Sequence, residues 1–109
     1  MAYDEGLAQR LREEFVGRDD VVEKKMFGGL CFMLAGNMCC GIVGETLMTR
    51  VGQEQYVDAL KREHAREMDF TGKALKGMIY VDPVGVAEDQ DLEDWVQLCL
   101  NFTQSLPPK

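Results

Sequence analysis

The sequence predicts an α+β domain of two layers, an antiparallel sheet of five to six strands backed by helices, in the order α-β-β-β(-β)-α-β-β-α. Three observations carry this expectation. The dipeptides Gly28-Gly29, Gly36-Asn37 and Gly44-Glu45, each suited to a two-residue hairpin turn, start eight residues apart. Stripes of apolar residues at helical spacing open and close the chain. The 109 residues are 46% apolar and 28% charged, enough for one domain (1–109) with its own core, and no linker, repeat or low-complexity stretch divides them.

Taken in order, the first element is an amphipathic helix. Asp4 is its expected N-cap, Glu5 suits the positive helix end, and Leu7, Leu11 and Phe15 recur every four residues with Ala8 beside them. Gly17 marks its end. Four six-residue runs follow, Val22 to Phe27, Leu30 to Ala35, Met38 to Val43 and Thr46 to Val51, joined by the three glycine turns into an antiparallel meander. The Gly28-Gly29 step also fits a bulge within one long bent strand. In the two middle runs both alternating sets are apolar. Leu30, Phe32 and Leu34 stand opposite Cys31, Met33 and Ala35, while Met38, Cys40 and Ile42 stand opposite Cys39, Gly41 and Val43. A sheet wetted on one face would alternate apolar with polar, so both faces here are expected to be dry, one under helices and the other under something else.

A short helix fits Gln53 to Arg62, with Tyr56, Val57 and Leu60 inward and charges placed to suit the helix dipole. Met68 and Phe70 alternate with Glu67 and Asp69 as a strand, and Met78 to Val81 form another that stops at Asp82-Pro83. The last helix is expected over Leu92 to Leu106, capped by Asp91, before Pro107-Pro108. Leu92, Trp95, Val96, Cys99, Phe102 and Leu106 form its stripe. Leu98 and Leu100 widen that stripe to an arc of about 200° at about 100° per residue, more than packing on one sheet uses. Trp95, Leu98, Leu100 and Phe102 are therefore the candidate oligomer surface.

Charge narrows the function classes. Twelve Lys and Arg against nineteen Asp and Glu leave −7, which repels phosphate backbones and anionic membranes, so direct nucleic-acid binding is disfavoured. No run approaches the roughly 18 apolar residues of a membrane span, and the acidic N-terminus is unlike a signal peptide, which points to the cytoplasm. The cysteines, Cys31, Cys39, Cys40 and Cys99, form no C-x-x-C pair and read as small buried hydrophobes; strand alternation would send Cys39 and Cys40 to opposite faces. No cofactor or metal is implied.

Chemistry is sparse. The one serine, Ser105, sits at a helix end, and the one histidine, His64, lies in the charged stretch Arg62 to Arg66, where an exposed imidazole is expected. The acids cluster at helix starts and between Asp82 and Asp94, as caps and solubilising charge. Gly28-Gly29 lacks the helix that a phosphate-cradling loop needs after it. Lys24, Lys25, Arg50, Arg66, Lys73 and Lys76 read as dispersed sheet and edge charges. Arg50 stands apart, because an arginine sharing a strand face with Met48 needs a partner.

The motifs Lys25-Met26-Phe27-Gly28-Gly29, Gly36-Asn37, Leu47-Met48-Thr49-Arg50-Val51, Met68-Asp69-Phe70, Gly77-Met78-Ile79-Tyr80-Val81 and the Trp95 helix together resemble the N-terminal domain of the TfoX/Sxy competence regulators over nearly the whole chain. The resemblance implies an α+β fold similar to the type III secretion chaperones, with helices on one side of an antiparallel sheet. Full-length members promote transcription of competence genes together with the cyclic-AMP receptor protein and carry a C-terminal second domain; this chain is expected to be a stand-alone copy of the first. The resemblance implies no catalytic residues. It transfers a motif, Met26, Phe27, Gly28 and Gly29 beside Lys25, with Arg50 and Tyr80 as nearby polar candidates. Three readings follow. One is a non-catalytic regulatory or adaptor domain acting through protein contacts, as a homodimer. Another is a small-ligand binder or enzyme using a cleft near Arg50, Tyr80 and the Lys24-Lys25 strand. The last is a DNA-associated regulator.

Overall fold

A computed structural model describes residues 3–26, 28–70 and 73–108, and the side chains of these except 69–70 and 73–76. Helix α1 spans Glu5–Glu14, and strands β1 to β4 span Val21–Met26, Gly29–Leu34, Asn37–Val43 and Thr46–Arg50. Helix α2 (Gln53–Leu60), β5 (Ala65–Phe70), β6 (Lys73–Val81) and a 3-10 turn at Pro83–Val86 lead into α3 (Asp89–Gln104). The six strands form one antiparallel sheet in the order β1-β2-β3-β4-β6-β5. The expected α+β fold is what the chain adopts.

Local chemistry sets the boundaries. The Asp4 carboxylate accepts the Gly6 N–H at 3.0 Å and caps α1 as expected. At α3 the cap differs. Glu88 holds the N-cap position without a side-chain bond, and Asp91 lies inside the first turn, where its charge still suits the helix dipole. The helix begins at Asp89 because the 3-10 turn, which starts at Pro83, delivers the chain three residues earlier than the Asp91 cap would.

Two of the three turns sit one residue earlier than their glycine dipeptides suggest. Met26 pairs with Gly29, which draws Gly29 out of the first turn, and Leu34 pairs with Asn37, which leaves 35–36 as the second two-residue loop. Ala35 takes φ 50° and Gly36 φ 88°, both left-handed, as a hairpin turn of this type demands. Asn37 is drawn into the strand, where its buried amide donates to the Pro107 carbonyl at 2.9 Å. Gly29 joins β2 because a Cβ there would collide with the Ile42 carbonyl of β3.

All three helices bury their apolar faces against one side of the sheet. Leu7, Ala8 and Leu11 of α1, Ala59 of α2, and Leu92, Trp95, Val96, Cys99 and Leu100 of α3 pack with Leu30, Phe32, Leu34, Ile42, Leu47, Ile79 and Val81. Phe15, just past α1, stacks on Phe32 with ring centroids 5.4 Å apart. Each such fully buried large side chain contributes about 1.5–3 kcal/mol. Thr49 is a buried polar residue of this face, and its hydroxyl donates to the Ile79 carbonyl across the β4–β6 ladder at 3.0 Å. The core therefore lies between one sheet face and the helices, leaving the other face to be accounted for.

Candidate functional site

The second sheet face is built from sulfur. Cys31, Met48 and Met68 are fully buried there, with Met26, Met33, Met38, Met78, Val43 and Tyr80 packed around them. Six of the seven methionines thus share one face. No described helix contributes a side chain to it. Cross-strand register explains the grouping: Cys31 stands opposite Gly41, Gly41 opposite Met48, and Met48 opposite Tyr80. Gly41 makes the floor. A Cβ there would come within 2.8 Å of the Met48 methyl, so Met48 lies across the glycine instead of standing up from the sheet. Long, unbranched thioethers fill such shallow ground well and adapt to whatever meets them. The expectation of two apolar faces holds, but strand residues of the chain itself bury the centre of the second one.

One set of alternations is corrected. The β2–β3 ladder slips between Phe32 and Met33, so that Phe32 pairs with Cys40 and Met33 with Met38, leaving Cys39 as the extra residue of a bulge. Cys39 and Cys40 consequently both enter the helix-side core, and Met38 moves to the face of Gly41 and Val43. The expected division of Cys39 from Cys40, and the grouping of Met38 with Cys40, fail for this reason.

The motif residues divide by role. Gly28 adopts φ 76° with open space around its Cα, and Gly29 is pressed against the β3 backbone, so both glycines serve the turn. Met26 joins the methionine face, Lys25 sits opposite Leu30 on the other face, and Phe27 lies outside the described residues. Arg50 pairs with Met78 across the β4–β6 ladder. Its guanidinium donates to the Met38 carbonyl at 3.4 Å and lies 5.4 Å from the centroid of the Phe102 ring, the partners an arginine on an apolar strand calls for. Tyr80 lies on the methionine face with Arg66 stacked over its ring at 4.9 Å, and Arg66 also holds Asp82 at 2.8 Å.

The α3 residues divide as well. Trp95 and Leu100 are 3% and 7% exposed and belong to the chain's own core, which corrects their place in the candidate oligomer surface. The wide apolar arc is used internally: Arg62 covers the Trp95 ring at 5.0 Å, and Phe102 packs against Gly52. Leu98 and Phe102 remain half-buried and line a groove of about 690 Å³ with Val51, Gln53 and Asn101, between the start of α2 and the end of α3.

Sequence reasoning missed a thiol cluster. The Cys39 sulfur lies within hydrogen-bonding reach of the Cys40 and Cys99 thiols and the Thr103 hydroxyl, which pull its pKa below the usual thiol range. Cys40 is pushed well up by that hydrogen bond and by burial, Cys99 by burial and its hydrogen bond to Cys39, and Cys31 by burial. The signal lay in the bulge, which alternation alone does not reveal. Among the described residues no His, Cys, Asp and Glu side chains are grouped to hold a metal ion, and no helix is long and apolar enough to cross a membrane. His64 is exposed, with φ 68°.

Neither a curated protein nor a solved structure matches the chain. A family model does: the one described as the TfoX N-terminal domain matches residues 13–103, from the last two residues of α1 to the penultimate residue of α3. That span takes in the whole sheet, the methionine face and every motif named above, and the chain belongs to the TfoX N-terminal domain family.

Proposed function

We propose that this domain is a non-catalytic regulatory or adaptor module that acts through protein contacts, as a homodimer. The observation that carries the reading is the methionine face, to which no described helix contributes. Half-buried apolar side chains on a sheet face without a covering helix suit a protein-contact site, and methionine suits one that must adapt to a partner. The polar candidates support the non-catalytic part. Arg50 is engaged by Phe102 and the Met38 carbonyl, and Tyr80 by Arg66, so each already has a structural task. Self-association fits the α2–α3 groove best, where Leu98 and Phe102 offer an apolar strip that two copies can share about a twofold axis.

Light scattering over a range of concentrations tests this reading, on the wild-type chain and on Leu98→Lys and Met33→Glu. The expected result is a mass of two chains for the wild type and Met33→Glu, and of one chain for Leu98→Lys. A single-chain mass for the wild type throughout would remove the homodimer. Loss of the dimer in Met33→Glu alone would move the self-contact to the methionine face and leave no open surface for a partner.

A further inference from the structure

The methionine face carries charge of one sign. Register places Lys24 opposite Cys31, Arg50 opposite Met78 and Arg66 opposite Tyr80, so all three side chains leave the sheet on this face, Arg50 with its guanidinium then held against Phe102 of α3. Glu23 and Glu67, the carboxylates of the edge strands whose side chains are described, turn away from it. Glu23 stands opposite Phe32 and is held by Arg12 of α1 at 2.8 Å, and Glu67 stands opposite Ile79. Among the described strand side chains, then, the face bears Lys24, Arg50 and Arg66 and no carboxylate, although the chain as a whole carries −7. Arg66 is partly balanced by Asp82 beyond the end of β6. The apolar ground continues to the β1 edge, where Val22, opposite Met33, is 63% exposed.

From this we infer that the methionine face docks an acidic amphipathic segment of a partner protein, its apolar stripe on the methionines and its carboxylates toward Lys24, Arg50 and Arg66. The inference rests on the adaptor reading above and adds the chemistry of the partner. A second copy of this chain is a poorer occupant, because face-to-face pairing would set the same three cations against their counterparts. Methionine thioethers accept aliphatic and aromatic side chains alike, so the stripe is defined by its spacing more than by its residues. The cations at the rim then select the sign of the flanking charge.

The probes are two labelled helical peptides of about 18 residues with the same Leu/Phe stripe, one flanked by Glu and the other by Lys. Each is titrated into the full chain by fluorescence anisotropy, while NMR follows the isotope-labelled methionine methyl groups. The Glu peptide is expected to bind about tenfold more tightly than the Lys peptide near 50 mM salt, with the gap closing near 500 mM. It should shift the methyl signals of Met33, Met38 and Met78. The double variant Lys24→Gln/Arg66→Gln, checked for an unchanged thermal melt, should lose most of the preference and keep the methyl shifts. Equal affinity for the two peptides would overturn the acidic chemistry while leaving the adaptor reading in place. Binding of neither, with the methyl signals unmoved, would overturn both. Methyl shifts produced by dodecanoate but by neither peptide would also overturn the proposal, in favour of a small amphipathic anion.

Discussion

Replacing Gly29 by alanine tests how closely β2 and β3 approach at the first hairpin. A Cβ at Gly29 would run into the Ile42 carbonyl oxygen and lie 2.9 Å from its carbon and 3.2 Å from the Val43 Cα, all backbone atoms that no rotamer change can move aside. Ordinary carbon contacts lie at about 3.5–4.0 Å, so β3 would have to shift by roughly 1 Å where Leu30 pairs with Ile42. Overpacking of this kind costs about 1–3 kcal/mol, and a weakened ladder bond adds about 1 kcal/mol, for a total of about 3 kcal/mol. In a domain of this size that lowers Tm by roughly 12–24 °C. Gly28→Ala is the control. Gly28 has φ 76° with nothing near its Cα, so alanine there meets only the left-handed backbone cost of about 1 kcal/mol, or roughly 4–8 °C. Thermal unfolding by circular dichroism measures both. If Gly29→Ala melts with the wild type, or above Gly28→Ala, the close-approach explanation of the motif is wrong and its second glycine needs another role.

Two further outcomes follow from the charges and the thiols. Arg12 donates to both carboxylate oxygens of Glu23, at 2.8 and 2.9 Å, and these bonds hold the Glu23 pKa below its ordinary value. A lowered carboxyl pKa stabilises the fold above the unfolded value near about 4.3 and ceases to do so as pH falls through the folded value. With both partners about a third exposed, Glu23→Gln should cost only about 0.5 kcal/mol in urea melts at neutral pH and nothing in strong acid; an equal cost at both would contradict the linkage. All four cysteines are no more than 1% exposed, so a thiol reagent such as DTNB should label them only through opening of the fold. Mild urea should then speed all four reactions, and fast labelling of any one without denaturant would refute their burial.

The elements themselves were legible because each rests on a local signal. Asp4 announces α1, and glycines at 28, 36 and 44 each take positive φ at the eight-residue spacing that suggested a meander. The registers were less legible. A dipeptide such as Gly36-Asn37 identifies a turn, but whether Asn37 belongs to it is decided by an acceptor far along the chain, the Pro107 carbonyl. The same holds for α3. Its arc from Trp95 to Phe102 was plain, yet the partners that use it, Arg62 and Gly52, sit on other elements, so an apolar surplus read from one helix overstated the exposed surface. The two-faced apolar character of the central strands was readable. That the second face gathers six methionines and three cations was not, since it takes residues from all six strands in register.

The bulge at Cys39 gives this sheet one residue that its ladder does not need. With Met33 paired to Met38 and Phe32 to Cys40, removing position 39 would close the count and leave two successive pairs with every neighbouring side chain on the face it already occupies. Elsewhere in β2, β3 or β4 a one-residue deletion would turn the rest of its strand over and exchange the helix-side core for the methionine face. Tolerance of length change in the meander is therefore concentrated at a single position, and that position holds a core cysteine.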